Sequence, residues 1–445
     1  MIDRKIKARF REFELPEAAV QESASVAIPT VRGNLRMRYG GHVYYFLNFR
    51  TRRGLEVKIG HLQIMKIGFR RFLRANHEPR RHIFKLRYLF QRYHYGMSLF
   101  EQLFLINSPH TMTHLGDGRF AIGLWAYFGC LIVDCRNRTV VYRILEEEDD
   151  DHVLGSHQWR DPDSGELYFM SYSLKDSLRR SLDPHNPVSC RVLKLDERTG
   201  QTTRLWQGKH TDYLHDIALD DRRQYCVIPE FGLYLDAQGQ LIPSRALVLD
   251  LKHDKRWVIP ELKAGAHVKF DPRDPDVIYL SNHNFKYVPM SLFKYALKGH
   301  YVVSFFGPGT ISKHRLTPDG PEELGAFTHP KLFRVFDHEV FFHRGRKLIA
   351  VIGFPNAIYL ADADDLTLVK IIEVKNPRSS KHLYRDFPCA VGTIAPSLDG
   401  EKIYVQTRYS FQIIDIDSGK PDWARSYFFG HSCTNHMIAT SDTAW

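Results

Sequence analysis

From residue 107 the chain repeats one pattern six times: strand, tight turn, strand, loop, strand, turn, strand. Each unit spans roughly 45 to 60 residues, the length of a propeller blade. The units open at "SPHTMTHLGDGRFAIGLW", "SHQWRDPDSGELYFMSYS", "LHDIALDDRRQYCVIPEF", "AHVKFDPRDPDVIYLSN", "DHEVFFHRGRKLIAVIG" and "CAVGTIAPSLDGEKIYVQT". What remains at the C-terminus, "TNHMIATSDTAW", can supply only one innermost strand. The N-terminal runs "LRMRYGGHVYYFLNFRT" and "LEVKIGHLQIMKI" are strand-like and otherwise without partners. The simplest closure is a seventh blade assembled from both ends of the chain, which removes exposed sheet edges and locks the ring. The expectation is an all-β, seven-bladed β-propeller running from 1 to 445 as one domain. Residues 66–106, where "FRRFLRA" and "MSLFEQLF" carry a helical period, read as a partly helical, basic and aromatic insertion over the channel face.

Composition narrows the setting. The chain has 445 residues, 43% of them hydrophobic, enough for a sizeable core. It opens on "MIDRKIKARFREFEL", charged throughout, and holds no apolar run long enough to span a bilayer. A soluble, cytoplasmic protein is expected. Six cysteines lie mostly inside strand-like runs without a C-x-x-C pair, which suits reduced, buried thiols. The net charge of +11 is uneven: between Lys66 and Tyr95 nine lysines and arginines meet a single acid, Glu78, with Phe, Tyr and Leu interleaved. Such a face suits peripheral contact with anionic lipid headgroups. No helix-turn-helix, zinc-finger or RNP-like pattern accompanies it, so nucleic acid is not an expected partner. The acidic run "LEEEDDDH" reads as a solvated loop between blades.

Histidines recur in phase with the blades. In a propeller the first strand of each blade lines the central channel, and its first residues converge near the axis. Aligning the units on these strands puts His157, His215, His267, His338 and His436 at equivalent positions, with His110 a possible further member. Imidazoles gathered within a few ångströms repel when protonated, and a shared divalent cation resolves this by keeping them neutral. An all-nitrogen donor set suits Fe, Cu, Ni or Zn better than Mg or Ca.

Two stretches, "GSHQWRDPDSGELYFMSYS" and "YLHDIALDDRRQYCVIPEFGL", together with "SPHTMTHLGDGRFAIGLWAYF" before them, resemble the carotenoid cleavage oxygenase family. The likeness is clear over about 107–235, weaker to 280, and one of blade phase beyond. It implies a seven-bladed propeller holding non-haem Fe(II) on four histidines, which fall here on His157, His215, His267 and His436. It also implies two adjacent open positions for O2 chemistry, and cleavage of a carbon-carbon double bond in a carotenoid, apocarotenoid or stilbene-like substrate held in an apolar tunnel. The family's carboxylates that hydrogen-bond the ligands map to Ala126, to Phe387 and to Glu339, so only Glu339, beside His338, retains one. Tyr93, Tyr95, Phe100 and Phe104 of the insertion are candidates for lining the tunnel. Isomerisation or another reaction of a conjugated lipid is an alternative within this class. Two other classes stay open: a propeller polysaccharide lyase using channel histidines and a divalent metal, and a non-catalytic propeller that binds partners on its rim.

Overall fold

The computed structural model describes residues 2–15, 25–32, 41–60, 109–124, 129–145, 152–173, 176, 186–197, 199–210, 214–230, 243–262, 265–282, 285–288, 302–305, 308–332, 335–353, 357–375, 391–407, 410–426 and 436–441. These residues form seven antiparallel sheets arranged as the blades of a propeller. From inner to outer strand, the first blade is Pro109–Gly116, Arg119–Leu124, Cys130–Asp134 and Thr139–Ile144. The second is His152–Arg160, Leu167–Ser173, Val188–Leu195 and Thr202–His210, and the third Ala218–Leu219, Tyr225–Pro229, Ser244–Asp250 and Lys255–Leu262. The fourth is Gly265–Phe270, Val277–Asn282, Thr310–Thr317 and Gly320–Thr328, with a small hairpin, Phe285–Val288 and Val302–Phe305, between its second and third strands. The fifth is Val335–His343, Arg346–Gly353, Ala357–Asp362 and Leu368–Glu373, and the sixth Val391–Pro396, Lys402–Thr407, Ser410–Asp415 and Pro421–Ser426.

The seventh blade closes the ring as expected, with C-terminal Ile438–Thr440 innermost against N-terminal Ser25–Arg32, Gly41–Asn48 and Arg53–Gly60. Ser25–Arg32 lies outside the two N-terminal runs read as strands, and two outer strands were not legible either. Ala8–Glu14 pairs outside Arg53–Gly60, and Ile2–Ile6 pairs outside Thr139–Ile144 of the first blade, so the N-terminus stitches two neighbouring blades together. Both are outermost strands, where one face is solvated and an alternating charged sequence such as "ARFREFE" is at home.

The core lies between blades rather than within them. Among the described residues it resolves into seven apolar clusters, one for each junction of the ring. Tyr44, Phe46 and Val57 of the seventh blade meet Phe120 and Ile122 of the first, for example. Second strands are covered on both faces, which is why Leu167–Ser173 is buried throughout and reads as a continuous run. Cys130, Cys135, Cys190 and Cys226 are buried in these layers and form no disulfide, and burial pushes the Cys130 thiol up to about 12. Cys389 and Cys433 lie outside the described residues, as does the 66–106 insertion. No helix among the described residues is long and apolar enough to cross a membrane.

One irregularity recurs. The ladder between first and second strands slips between Pro109 and Thr111, Leu154 and Gln158, Gly265 and Val268, Val335 and His338, and Val391 and Thr393. Four of these slips lie at the start of an inner strand, and the one between Leu154 and Gln158 lies in mid-strand. A bulge re-aims side chains that a regular strand would send to alternate faces. Neighbouring inner strands are also fastened together here: Thr111 Oγ1 donates to the carbonyl of Ser156, and a Cβ at Gly123 would collide with that same oxygen.

Candidate metal centre

The slips decide what faces the axis. His110, His157 and His267 each sit inside one. His215 lies between the isolated bridge Leu214–Glu230 and the first ladder pair of its blade, Ala218–Val227. His436 precedes the innermost strand of the seventh blade, and its main-chain N–H donates to the carbonyl of His110 at 2.6 Å.

All five rings converge. His157 stands 4.7 Å from His110, 4.5 Å from His215, 5.3 Å from His267 and 5.1 Å from His436, centroid to centroid. Around it, His110 to His215 is 5.4 Å, His215 to His267 is 5.2 Å, His267 to His436 is 4.5 Å and His436 to His110 is 5.3 Å. Ligating atoms of His110, His157 and His215 lie within 4.8 Å of one another, and so do those of His157, His267 and His436. His110, His157, His215 and His267 are buried.

Two carboxylates hold the rings from behind. Asp216 Oδ1 accepts from His157 Nδ1 at 2.9 Å, and its Oδ2 lies 3.6 Å from His267 Nδ1. The same carboxylate is fixed by the main-chain N–H groups of Ile217 at 2.8 Å and Val268 at 3.0 Å. Asp337 Oδ2 takes the Nδ1 proton of His436 at 2.8 Å. Nδ1 being engaged, Nε2 is the nitrogen left to ligate, and His157 Nε2 is buried with no hydrogen-bond partner. A buried nitrogen lone pair facing four other imidazoles is what a borderline-soft divalent cation satisfies, so these residues fit a metal ion.

The electrostatics agree. Burial lowers the pKa of His157 to about 4, outweighing the opposing pull of Asp216. His215 is also pushed down, by burial and then by the neighbouring imidazoles. For His436, burial again favours the neutral form, but Asp337 more than offsets it and the pKa is raised. Burial works against ionisation of Asp216 and Asp337, yet the adjacent histidines hold both well below the usual carboxylate range.

Sequence phase and structure part at the fifth blade. The ladder slips over two residues both at Gly265/Val268 and at Val335/His338, so the counterpart of His267 is Asp337, not His338. His338 is fully buried, its Nε2 3.2 Å from the carbonyl of Tyr279 in the fourth blade. Burial lowers its pKa to about 3. Glu339, the carboxylate expected to brace a ligand, is instead paired with Lys269 Nζ at 2.7 Å. Burial raises its pKa despite Lys269. The bracing carboxylates Asp216 and Asp337 escaped the sequence reading because strict alternation points a residue next to a channel position away from the channel. The signal was there in both "HD" of "LHDIA" and "DH" of "FDHEV". Tyr93, Tyr95, Phe100, Phe104, Ala126 and Phe387 lie outside the described residues, and so does His431, the nearest alternative to His436 as last ligand in the C-terminal run.

A cavity of about 610 Å³ adjoins the ring, its wall including His157, His267, His436, Asp216, Lys269 and Glu339. The metal-free protein should lose stability as the pH is lowered from 6.5 to 4. His157, His215 and His338 stay neutral in the fold, yet take up protons near pH 6.5 once unfolded, so acid favours the unfolded chain. The raised pKa values of His436 and Glu339 act the other way, but they are outweighed by these three imidazoles together with the lowered carboxylates Asp216 and Asp337. Thermal melts in chelator across this range measure the effect, and a flat or rising midpoint on acidification would contradict it.

Comparison with known proteins bears on fold. No protein-family model matches the sequence, and no characterised protein matches it by sequence. Among solved structures, two variants of an apocarotenoid oxygenase from Synechocystis are similar over 99% of this chain and 96% of theirs. The identities are 12% and 11%, and the TM-scores 0.56 and 0.55. The shared property is the seven-bladed architecture.

Proposed function

We propose that the chain is a non-haem Fe(II) oxygenase that cleaves a double bond of a conjugated apolar substrate: a carotenoid, an apocarotenoid or a stilbene-like compound. The observation that carries this reading is the convergence of His157, His215, His267 and His436 from four separate blades on one axis. The full-length likeness to an apocarotenoid oxygenase fold supports it. Bound at these nitrogens, Fe(II) would supply the dioxygen activation that splits an alkene into two carbonyl products.

The protein's own part is positioning. Asp216 and Asp337 accept the Nδ1 protons, fix the tautomers and aim Nε2 inward. Burial keeps His157 and His215 neutral and therefore free to donate lone pairs. Lys269 and Glu339 neutralise each other on the cavity wall, so no net charge is added beside the ring. Tyr93, Tyr95, Phe100 and Phe104 are proposed to line the apolar substrate passage, and the lysines and arginines of the same stretch to meet the membrane in which such substrates dissolve.

Aerobic incubation of the iron-loaded protein with a panel of carotenoids, apocarotenoids and stilbenes, with products identified by mass, tests the proposal. Paired aldehydes or ketones carrying oxygen from labelled O2 are expected. Full iron occupancy with no product from any member of the panel would sink the cleavage reading.

A further inference from the structure

The structure assigns His110 to the metal centre as a fifth imidazole, making the donor set a square pyramid with His157 at its apex. This rests on the metal-centre reading above and changes what that centre can do. The eight close ring pairs trace the edges of such a solid: four run from His157 to each other ring, and four run around the base in the order His110, His215, His267, His436. The two remaining pairs, His110 with His267 and His215 with His436, are the diagonals of the base. The two triads of ligating atoms within 4.8 Å are opposite triangular faces sharing that apex. His110 is as buried as its neighbours, at 1% exposure, and sits in a slip of the first-blade ladder like those that present His157 and His267. Its carbonyl also receives the His436 N–H, so the first and seventh blades are joined at the ligands themselves.

Four imidazoles leave two positions of an octahedron open, whereas five leave one. Held by five imidazoles, a metal ion would admit a single small diatomic or anionic ligand and would not be chelated by a substrate. The conjugated substrate must then react without coordinating the metal.

X-ray absorption at the iron edge of the anaerobic Fe(II) protein counts the imidazoles directly. Five are expected in the native protein and four in His110→Ala, with at least roughly tenfold weaker iron binding in the variant. Nitric oxide and azide give a second readout. In the native protein nitric oxide should displace azide from iron, while in His110→Ala the two should bind together and azide should perturb the electron paramagnetic resonance signal of the nitrosyl. A native count of four, or a mixed nitrosyl–azide adduct on the native protein, would overturn the fifth ligand and leave the four-histidine reading standing. Failure of the folded native protein to bind iron, cobalt or zinc would overturn both. Should His110→Ala not fold, the native imidazole count alone decides.

Discussion

In a His157→Ala variant, metal content should fall from about one ion per chain to background, with binding weakened more than about a hundredfold. His157 belongs to both triads of ligating atoms, and its Nε2 is a buried nitrogen with no hydrogen-bond partner. No neighbour can replace it, because the other imidazoles are fixed by their own strands and the alanine leaves a gap at the apex. Stability should change less than metal binding does, since Asp216 keeps the N–H groups of Ile217 and Val268. The matched control is His338→Asn. His338 aligns with the ring in sequence but is buried between the fourth and fifth blades, on the carbonyl of Tyr279. It should retain full metal occupancy while losing thermal stability. Elemental analysis beside a thermal melt of each variant reads both effects, and equal metal in His157→Ala and the native protein would remove the centre from consideration.

Asp216→Asn should weaken metal binding about 10- to 100-fold without removing a ligand. One carboxylate serves two rings, His157 at 2.9 Å and His267 at 3.6 Å. An amide offers one acceptor oxygen and one donor NH2, so it cannot accept from both sides, and the ring left facing the NH2 must turn or change tautomer. Lost negative charge further weakens the basicity of the imidazoles. Asp337→Asn should act in the same direction through His436 alone, and by less. Glu339→Gln, by contrast, should leave metal affinity close to native, because its partner is Lys269. Competition titration against a chromogenic chelator distinguishes them. A larger loss in Glu339→Gln than in Asp216→Asn would mean that Glu339, not Asp216, braces the ligands.

The blades were legible because a propeller blade is a local object. Its four strands are consecutive in sequence, its turns carry Asp and Gly, and its inner pair is apolar enough to stand out. Asp161, Asp220 and Asp271 show why the turns after the inner strands are so regular: each is buried and accepts main-chain N–H groups two to five residues on. The convergence of His157, His215, His267 and His436 was legible for the same reason, since a histidine at the same point of each repeat is carried to the same point of the ring. The added outer strands Ile2–Ile6 and Ala8–Glu14 were not, because outermost strands need no apolar run and their partners lie far along the chain.

Repetition in the amino-acid sequence by itself determined the seven-bladed ring, its closure by both chain ends and the gathering of four histidines on the axis. Only the tertiary structure placed the His110 ring beside those of His157, His215 and His436, set His338 apart on the Tyr279 carbonyl, and put Asp216 and Asp337 rather than Glu339 against the imidazoles. The physical reason is the bulge: a net slip of one residue in an antiparallel ladder reverses which side chains face the channel, and single-chain periodicity carries no record of where pairing slips.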